Sequence, residues 1–276
     1  MKTEIPNKLM LRFYNKNRPI RAVCSIAKSA MELHCHDYYE IEIIISGEAV
    51  HYLNGEKYDI GPGIAYILNP AAFHTYEIKK PLKLFCINFD GSVIPERLFF
   101  KMATVGAGKH IKINEDRIED ITKLSELLVK ECKKRDGGCS MELCECVLAM
   151  LLEEIENVQN APSKIDVGMQ KALIYLNSHF YEDPSLADVA KEANYHPNYF
   201  SEKFNSYFGE SYISKLNELK INYAKVLLNT GFSVSEVCFR AGFHSMSSFL
   251  KVFKDRVGKS PKKYQQDNAG NTSQKL

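Results

Sequence analysis

Four side chains in the first third of the chain are of the types that bind metals and polar ligands. They are His34, His36 and Glu40 in MELHCHDYYEIEIIISGE, and His74 in NPAAFHTY. Alternate residues of a strand share a face, so an extended backbone makes His34 and His36 converge, and a barrel brings Glu40 and His74 to the same mouth. Three imidazoles and a carboxylate suit zinc, iron or manganese. The same groups also suit polar contacts to an organic ligand, or hydrogen-bonded packing within a barrel, and the residue types leave all three uses open. The eight cysteines contain no C-x-x-C pair. The densest cluster, Cys139, Cys144 and Cys146, falls in a helical pattern where positions two apart diverge, so these read as thiols in ordinary packing.

The elements that must position the histidines are short strands. From about residue 20 to 90 the chain reads YYEIEIIISGEAVHYLNGEKYDIGPGIAYILNP and then FHTYEIKKPLKLFCINFD, with turn signals at Ser46-Gly47, Asn54-Gly55, Gly61-Pro62-Gly63 and Lys79-Lys80-Pro81. Many short strands between such turns predict a barrel or sandwich. In a barrel, Tyr38, Tyr39, Glu42, Tyr52 and Tyr66 are candidates to line a pocket, with strand alternation deciding which point inward. After Asp90 the period becomes helical: 115–135 carries Ile118, Ile121, Leu124, Leu127 and Leu128 on one face, and a second helix follows from about Met141 to Glu156. Gly137-Gly138 makes the two an antiparallel hairpin, which closes the barrel or meets a second subunit.

QNAPSKID at 159–166 is the best domain boundary. Residues 1–160 hold 21 basic against 23 acidic side chains, and 161–276 hold 15 against 11, so a formal −2 gives way to +4. That excess is too small to announce nucleic-acid binding by itself. There is no apolar run near the ~18 residues of a membrane helix, and no leader-like start, which predicts a cytoplasmic chain.

The second half contains an internal repeat. SLADVAKEANYHPNYFSEKFNSYFGES (185–211) aligns with FSVSEVCFRAGFHSMSSFLKVFKDRVGKS (232–260), pairing Val189 with Val237, Ala193 with Ala241 and Tyr195 with Phe243. After a one-residue insertion, Phe200 pairs with Phe249 and Phe204 with Phe253. Each copy reads as a short helix, a tight turn at Asn194 or Gly242, and a second helix that starts at Pro197 or behind Ser245. That is a helix-turn-helix. The phenylalanines are spaced for burial, which leaves Asn198, Ser201, Glu202 and Asn205 exposed in one copy and Ser247, Leu250, Lys251 and Lys254 in the other. YISKLNELKINYAKVLLNTG between the copies is a linker helix about 25 Å long, enough to set two reading heads near one DNA turn apart.

The second half resembles the DNA-binding domain of AraC/XylS-type transcriptional regulators, on VCFRAGFHSMSSFLKVFKDRVGKSPKKY (237–264) and on the first copy SLADVAKEANYHPNYFSEKF. The His-x-His stretch with its following Glu40 resembles the cupin-like sensing domain that precedes it in many members. The resemblance implies a sequence-specific promoter binder, commonly dimeric, with bases contacted from Asn198, Ser201 and Glu202 and from Ser247, Leu250 and Lys251. Glu202 and Asn205 stand where the family favours basic residues, and Gln265 where it favours arginine.

The expected architecture is therefore two domains: an N-terminal all-β cupin-like barrel with a helical hairpin, and a C-terminal all-α domain with two helix-turn-helix motifs joined by a linker helix. Its expected bounds are 1–158 for effector binding and dimerisation (barrel about 20–90, helices about 115–157) and 167–264 for DNA binding. The motifs lie at about 185–208 and 234–257, and a flexible tail spans 265–276. The expected partners are promoter DNA, a small-molecule effector such as a sugar, a second copy of the chain and, in an activator, RNA polymerase; no membrane, cofactor or catalytic residue is expected. Ligand contacts fall to His34, His36, Tyr38, Glu40, Glu42, Tyr52 and His74, with His34, His36, Glu40 and His74 as the metal alternative. Two rival readings remain: a metal-dependent cupin enzyme fused to a DNA-binding domain, and an architectural DNA binder without a ligand.

Overall fold

The structure, a computed structural model, describes residues 10–11, 19–29, 31, 33–54, 56–70, 72–104, 109–134, 136–155, 167–229 and 231–272. The expected linker 159–166 lies outside them. Two long strands organise the first half: β4 (Tyr39–Leu53) and β7 (His74–Phe89) pair antiparallel along nearly their whole length. The turns expected at Ser46-Gly47 and Lys79-Lys80-Pro81 are instead irregularities inside these strands, with register shifts between Ile44 and Ala49. They face one another for a steric reason. Pro81 lacks an N–H for the ladder, and Gly47 (φ 98°) comes so close that a Cβ on it would run into the Pro81 carbonyl.

Around this pair stand β2 (Ile20–Ala27), β5 (Glu56–Ile60), β6 (Ile64–Leu68) and β8 (Lys109–Lys112). The path is β2-β7-β4-β6-β8, with β5 beside the far half of β4. A minor parallel pair joins β1 (Met10–Leu11) to β3 (Cys35–His36). The expected barrel is thus corrected to an open sheet: among the described residues β2 and β8 end the path without pairing to each other. Alternation along a strand reports which face is apolar, but not whether the sheet's ends meet. Here Ile20, Ala22, Ile41, Ile43, Ile87 and Phe89 are buried in one core with helical residues, so helices rather than further strands cover that face. The helices are α1 (Glu96–Thr104), α2 (Glu115–Glu131) and α3 (Ser140–Glu153), the last two folded back at Gly137 and Gly138, both in positive φ.

The second half is all-helical: α4 (Val167–His179), α5 (Leu186–Glu192), α6 (Pro197–Phe208), α7 (Tyr212–Asn229), α8 (Val234–Arg240), α9 (Met246–Val257) and α10 (Pro261–Thr272). The helix α10 takes in residues 265–272 of the segment read from sequence as a tail. The repeat is visible bond by bond. Ser185 with Asp188, and Ser233 with Glu236, form reciprocal capping boxes that start α5 and α8. Each first helix ends in a left-handed residue, Asn194 (φ 57°) or Gly242 (φ 81°). The next N–H then reaches back to the same place in each, from Tyr195 to the Ala190 carbonyl and from Phe243 to that of Cys238.

The halves share one core. The Phe73 ring stacks on Tyr223 of α7 with centroids 4.9 Å apart, and Lys225 of α7 bonds Glu56 of β5 at 2.8 Å. Gln170 of α4 donates to the Gly91 and Ile94 carbonyls.

Candidate functional site

Polar side chains gather where the first residues of β4 and β7 meet β3 and the residue before it. An antiparallel bridge ties His34 to His74 through both backbone bonds, 3.1 and 2.9 Å, and sets their rings 4.3 Å apart. Two residues on, His36 faces Glu40, with Nε2 3.1 Å from Oε2. His74 Nε2 lies 3.6 Å from the same oxygen. His36, His74 and Glu40 are all buried, the histidines completely. Glu42 is buried on the same side of β4, and the Cys86 thiol of β7 donates to Glu40 Oε1 at 2.9 Å.

Burial and neighbouring charge set the protonation states. Burial alone would raise the Glu40 carboxyl, but the histidines and the Cys86 thiol around it outweigh that and hold it below its ordinary value. Glu42 goes the other way, pushed well up by burial and then by the Glu40 charge. Cys86 is raised by burial and both glutamates and remains a thiol. Burial drives His74 well down, and it drives His51 to about 3 and His110 to about 4, so these imidazoles are neutral at physiological pH.

Of the seven expected ligand residues, the structure gathers His34, His36, Glu40, Glu42 and His74. Tyr38 stacks on His36 at 4.2 Å. Tyr52 does not join them: its hydroxyl bonds Glu77 on the opposite face of the sheet. In its place stands His51, buried, 5.7 Å from His74 and stacked on Tyr66 and Tyr76. His51 Nδ1 is 3.2 Å from His110 Nε2 of β8. The exchange follows from the irregularity at Gly47. From Ile44 to Ala49, β4 advances five positions between two residues of the same face, so even positions point to the cluster before it and odd positions after it. Gly47 was the one signal in the sequence that alternation would fail there.

The second candidate surface lies on α6 and α9. Phe200, Phe204, Phe249 and Phe253 are wholly buried, whereas Asn198, Ser201, Glu202, Asn205, Ser247, Leu250, Lys251 and Lys254 are all exposed. Ser245 caps α9 by accepting from the Ser248 N–H. The helices differ in charge: α6 holds Glu202 against Lys203, while α9 holds Asp255 against Lys251, Lys254 and Arg256. Lys203 is moreover drawn among Tyr195, Tyr199 and Tyr207, with its Nζ 4.8–5.6 Å from the ring centroids. Arg256 donates to the Ser214 carbonyl at 2.6 Å and so fastens α9 to α7. Sequence reasoning missed both of these anchoring roles.

A polar cluster in a sheet joined to two helix-turn-helix units, each with a capped first helix and an exposed face on its second, is the arrangement of one class, the ligand-binding transcription regulators. Residues 24–98 match the AraC-like ligand binding domain and residues 189–267 match a helix-turn-helix domain. The chain is an AraC/XylS-family transcriptional regulator with an AraC-type ligand-binding domain. It is 24% identical over 253 residues to the HTH-type transcriptional activator RhaS of Escherichia coli O81, covering 86% of this chain and 88% of that one. RhaS of Salmonella arizonae is 22% identical over 263 residues, 92% of this chain and 94% of its own. The crystal structure of ToxT from Vibrio cholerae O395 covers 90% of this chain and 97% of that one at 16% identity, with a TM-score of 0.41. These RhaS relatives are transcriptional activators, which supports a non-catalytic role. Among the described residues no helix is long and apolar enough to cross a membrane.

Proposed function

We propose that the polar cluster of the N-terminal sheet receives a small-molecule effector, that α7 carries its presence to the reading helices, and that these helices bind promoter DNA sequence-specifically. The observation that carries this reading is the Phe73–Tyr223 stack. Phe73 adjoins His74 in the chain, and Tyr223 belongs to the helix that joins the two helix-turn-helix units. A ligand that shifts His74 changes the seat of α7, and it acts to the extent that it binds the two arrangements unequally.

The effector contacts in this reading are His34, His36, Tyr38, Glu40, Glu42 and His74, joined by His51. Stacked aromatic rings beside two buried carboxyl groups favour a carbohydrate. Asn198, Ser201, Glu202 and Asn205 read one major-groove segment, and Ser247, Leu250, Lys251 and Lys254 the next. The hairpin of α2 and α3, which exposes Leu127 and Met141, is the surface on which a cytoplasmic homodimer would form, with residues 1–158 and 167–264 as its two functional units.

Footprinting of the full-length protein on DNA upstream of its own and adjacent genes tests this. Two adjacent protected segments on one face of the duplex are expected for each chain. Lys251→Ala should then relax preference at one position by about 1–3 kcal/mol. Absence of sequence-specific binding at low salt refutes the reading.

A further inference from the structure

Asp183 stands where three parts of the helical half meet. It ends the single turn Phe180–Glu182 that leads from α4 to α5, with its backbone left-handed at φ 55°, a conformation that aspartate and asparagine tolerate better than most side chains. Its carboxylate has partners on two other elements. One oxygen accepts from Lys220 Nζ of α7, and the other lies 2.7 Å from Nε2 of His244, in the turn between α8 and α9. Lys220 Nζ also donates to the Gly242 carbonyl at 2.7 Å and stands 5.1 Å from the Phe243 ring centroid. One carboxylate and one ammonium thus grip three consecutive residues of the turn that precedes the second reading helix.

This clasp acts on an angle more than on stability. The second unit begins at Gly231, which is in positive φ and has open space where a Cβ would stand, so the covalent joint to α7 does not by itself fix how that unit sits. Its reading helix is held at both ends instead. Arg256 fastens the last turn of α9 to Ser214 at the start of α7, and the clasp holds the residues just before the first turn. Of these two, the clasp reaches past α7 to the root of the first unit, because Asp183 lies two residues before the Ser185 cap of α5. The His244 side chain is 83% exposed, so its bond to Asp183 adds little stability. The Nε2–H donates to the carboxylate in the imidazolium and in the matching neutral tautomer alike.

We propose that Asp183 is a positioning residue of the DNA interface: by tying Lys220 and His244 together it fixes α9 relative to α6, and so makes the protein select the spacing between the two DNA segments that these helices read. The proposal rests on the regulator reading and adds to it a spacing requirement and the residue that imposes it. One base pair added between the segments moves the second by about 3.4 Å and turns it by about 35° around the duplex. A locked α9 loses base contacts there, which lowers affinity about 10-fold or more, whereas an unlocked one follows its segment.

The test measures, by fluorescence anisotropy, the affinity of full-length protein for the footprinted duplex and for the same duplex with one base pair inserted between the protected segments. Wild type should bind the longer duplex about 10-fold or more weakly. Asp183→Asn keeps the shape and the tolerance of positive φ but offers one acceptor oxygen instead of two, and His244→Ala removes the arm to the second unit. Each should bind the two duplexes within about threefold of one another. Ser233→Ala weakens the cap of α8 and leaves the clasp in place, so it should keep the wild-type ratio and show that lost stability alone does not relax the spacing. Circular dichroism establishes that the variants are folded; if Asp183→Asn is not, the exposed His244→Ala decides. A wild type that accepts the added base pair, or either folded variant that rejects it as strongly as wild type does, overturns the proposal. A wild type with no specific binding removes the regulator reading and this proposal with it, whereas specific binding with an unaltered ratio in the variants removes the proposal alone.

Discussion

Gly242→Ala and Asn194→Ala put alanine at the same point of the two repeats, and should have unequal effects. Both residues hold a left-handed turn, at φ 81° and 57°. At Gly242 alanine brings a Cβ into that conformation at about 1–2 kcal/mol, whereas Asn194 already carries one and loses only its better tolerance of the turn, a smaller cost. At Gly242 a second effect is added, because a Cβ would stand 2.7 Å from the Tyr181 carbonyl oxygen and 3.1 Å from its carbon. Those atoms are backbone and cannot rotate aside, so crowding adds about 1–3 kcal/mol, for about 2–5 kcal/mol in all. The difference between the variants therefore combines the strain of the new Cβ at Gly242 with its close approach to Tyr181. The Gly242 carbonyl also accepts from the buried Lys220 Nζ at 2.7 Å, so displacing this turn moves the contact that seats the second unit on α7. Urea unfolding gives the stabilities, and fluorescence anisotropy with a specific duplex gives the affinities. Gly242→Ala should lose the more stability and should lose the footprint over the segment read by α9 first. Equal destabilisation, within about 0.5 kcal/mol, would refute the reasoning.

Two further predictions concern the interface and the caps. A double-mutant cycle with Phe73→Leu and Tyr223→Leu should return a coupling of about 0.5–1.5 kcal/mol in unfolding, the worth of a stacked aromatic pair, and strict additivity would remove the proposed route between the halves. Asp188 and Glu236 are held below their ordinary values of 3.8 and 4.5, in each case first by the hydrogen bond from the capping serine. A depressed carboxyl adds stability that is complete above its unfolded pKa and lost as pH falls through its folded one, so the acid limb of the urea midpoint should begin below about pH 4.5. The Ser185→Ala, Ser233→Ala double variant should flatten that limb, and an unchanged limb would show that the boxes are not its source.

The helix-turn-helix repeat was legible because every signal in it is local. A capping serine, a residue that tolerates positive φ and phenylalanines four apart each act within a turn or two of themselves. The eight exposed residues of α6 and α9 followed directly. The histidine cluster was half legible. Alternation placed the His-x-His pair, Glu40 and His74 were reached only through the expected barrel, and Tyr52 was named where His51 stands because one strand shifts its register against another some thirty residues away. His110 was out of reach, since β8 joins the cluster only through its pairing with β6. Closure of the sheet was not readable at all, because a strand has the same pattern whether the strands at the ends of its sheet meet each other or end against helices.

The inequality between α6 and α9 gives the chain a polarity. One reading helix is electrically balanced, with its only lysine folded among tyrosines, and the other presents Lys251 and Lys254 outward. A protein whose two heads differ has no internal twofold axis, so it cannot be turned end for end on the duplex without changing its contacts. If both helices read DNA as proposed, each bound chain would be an arrow laid along the duplex, and a single copy would distinguish upstream from downstream.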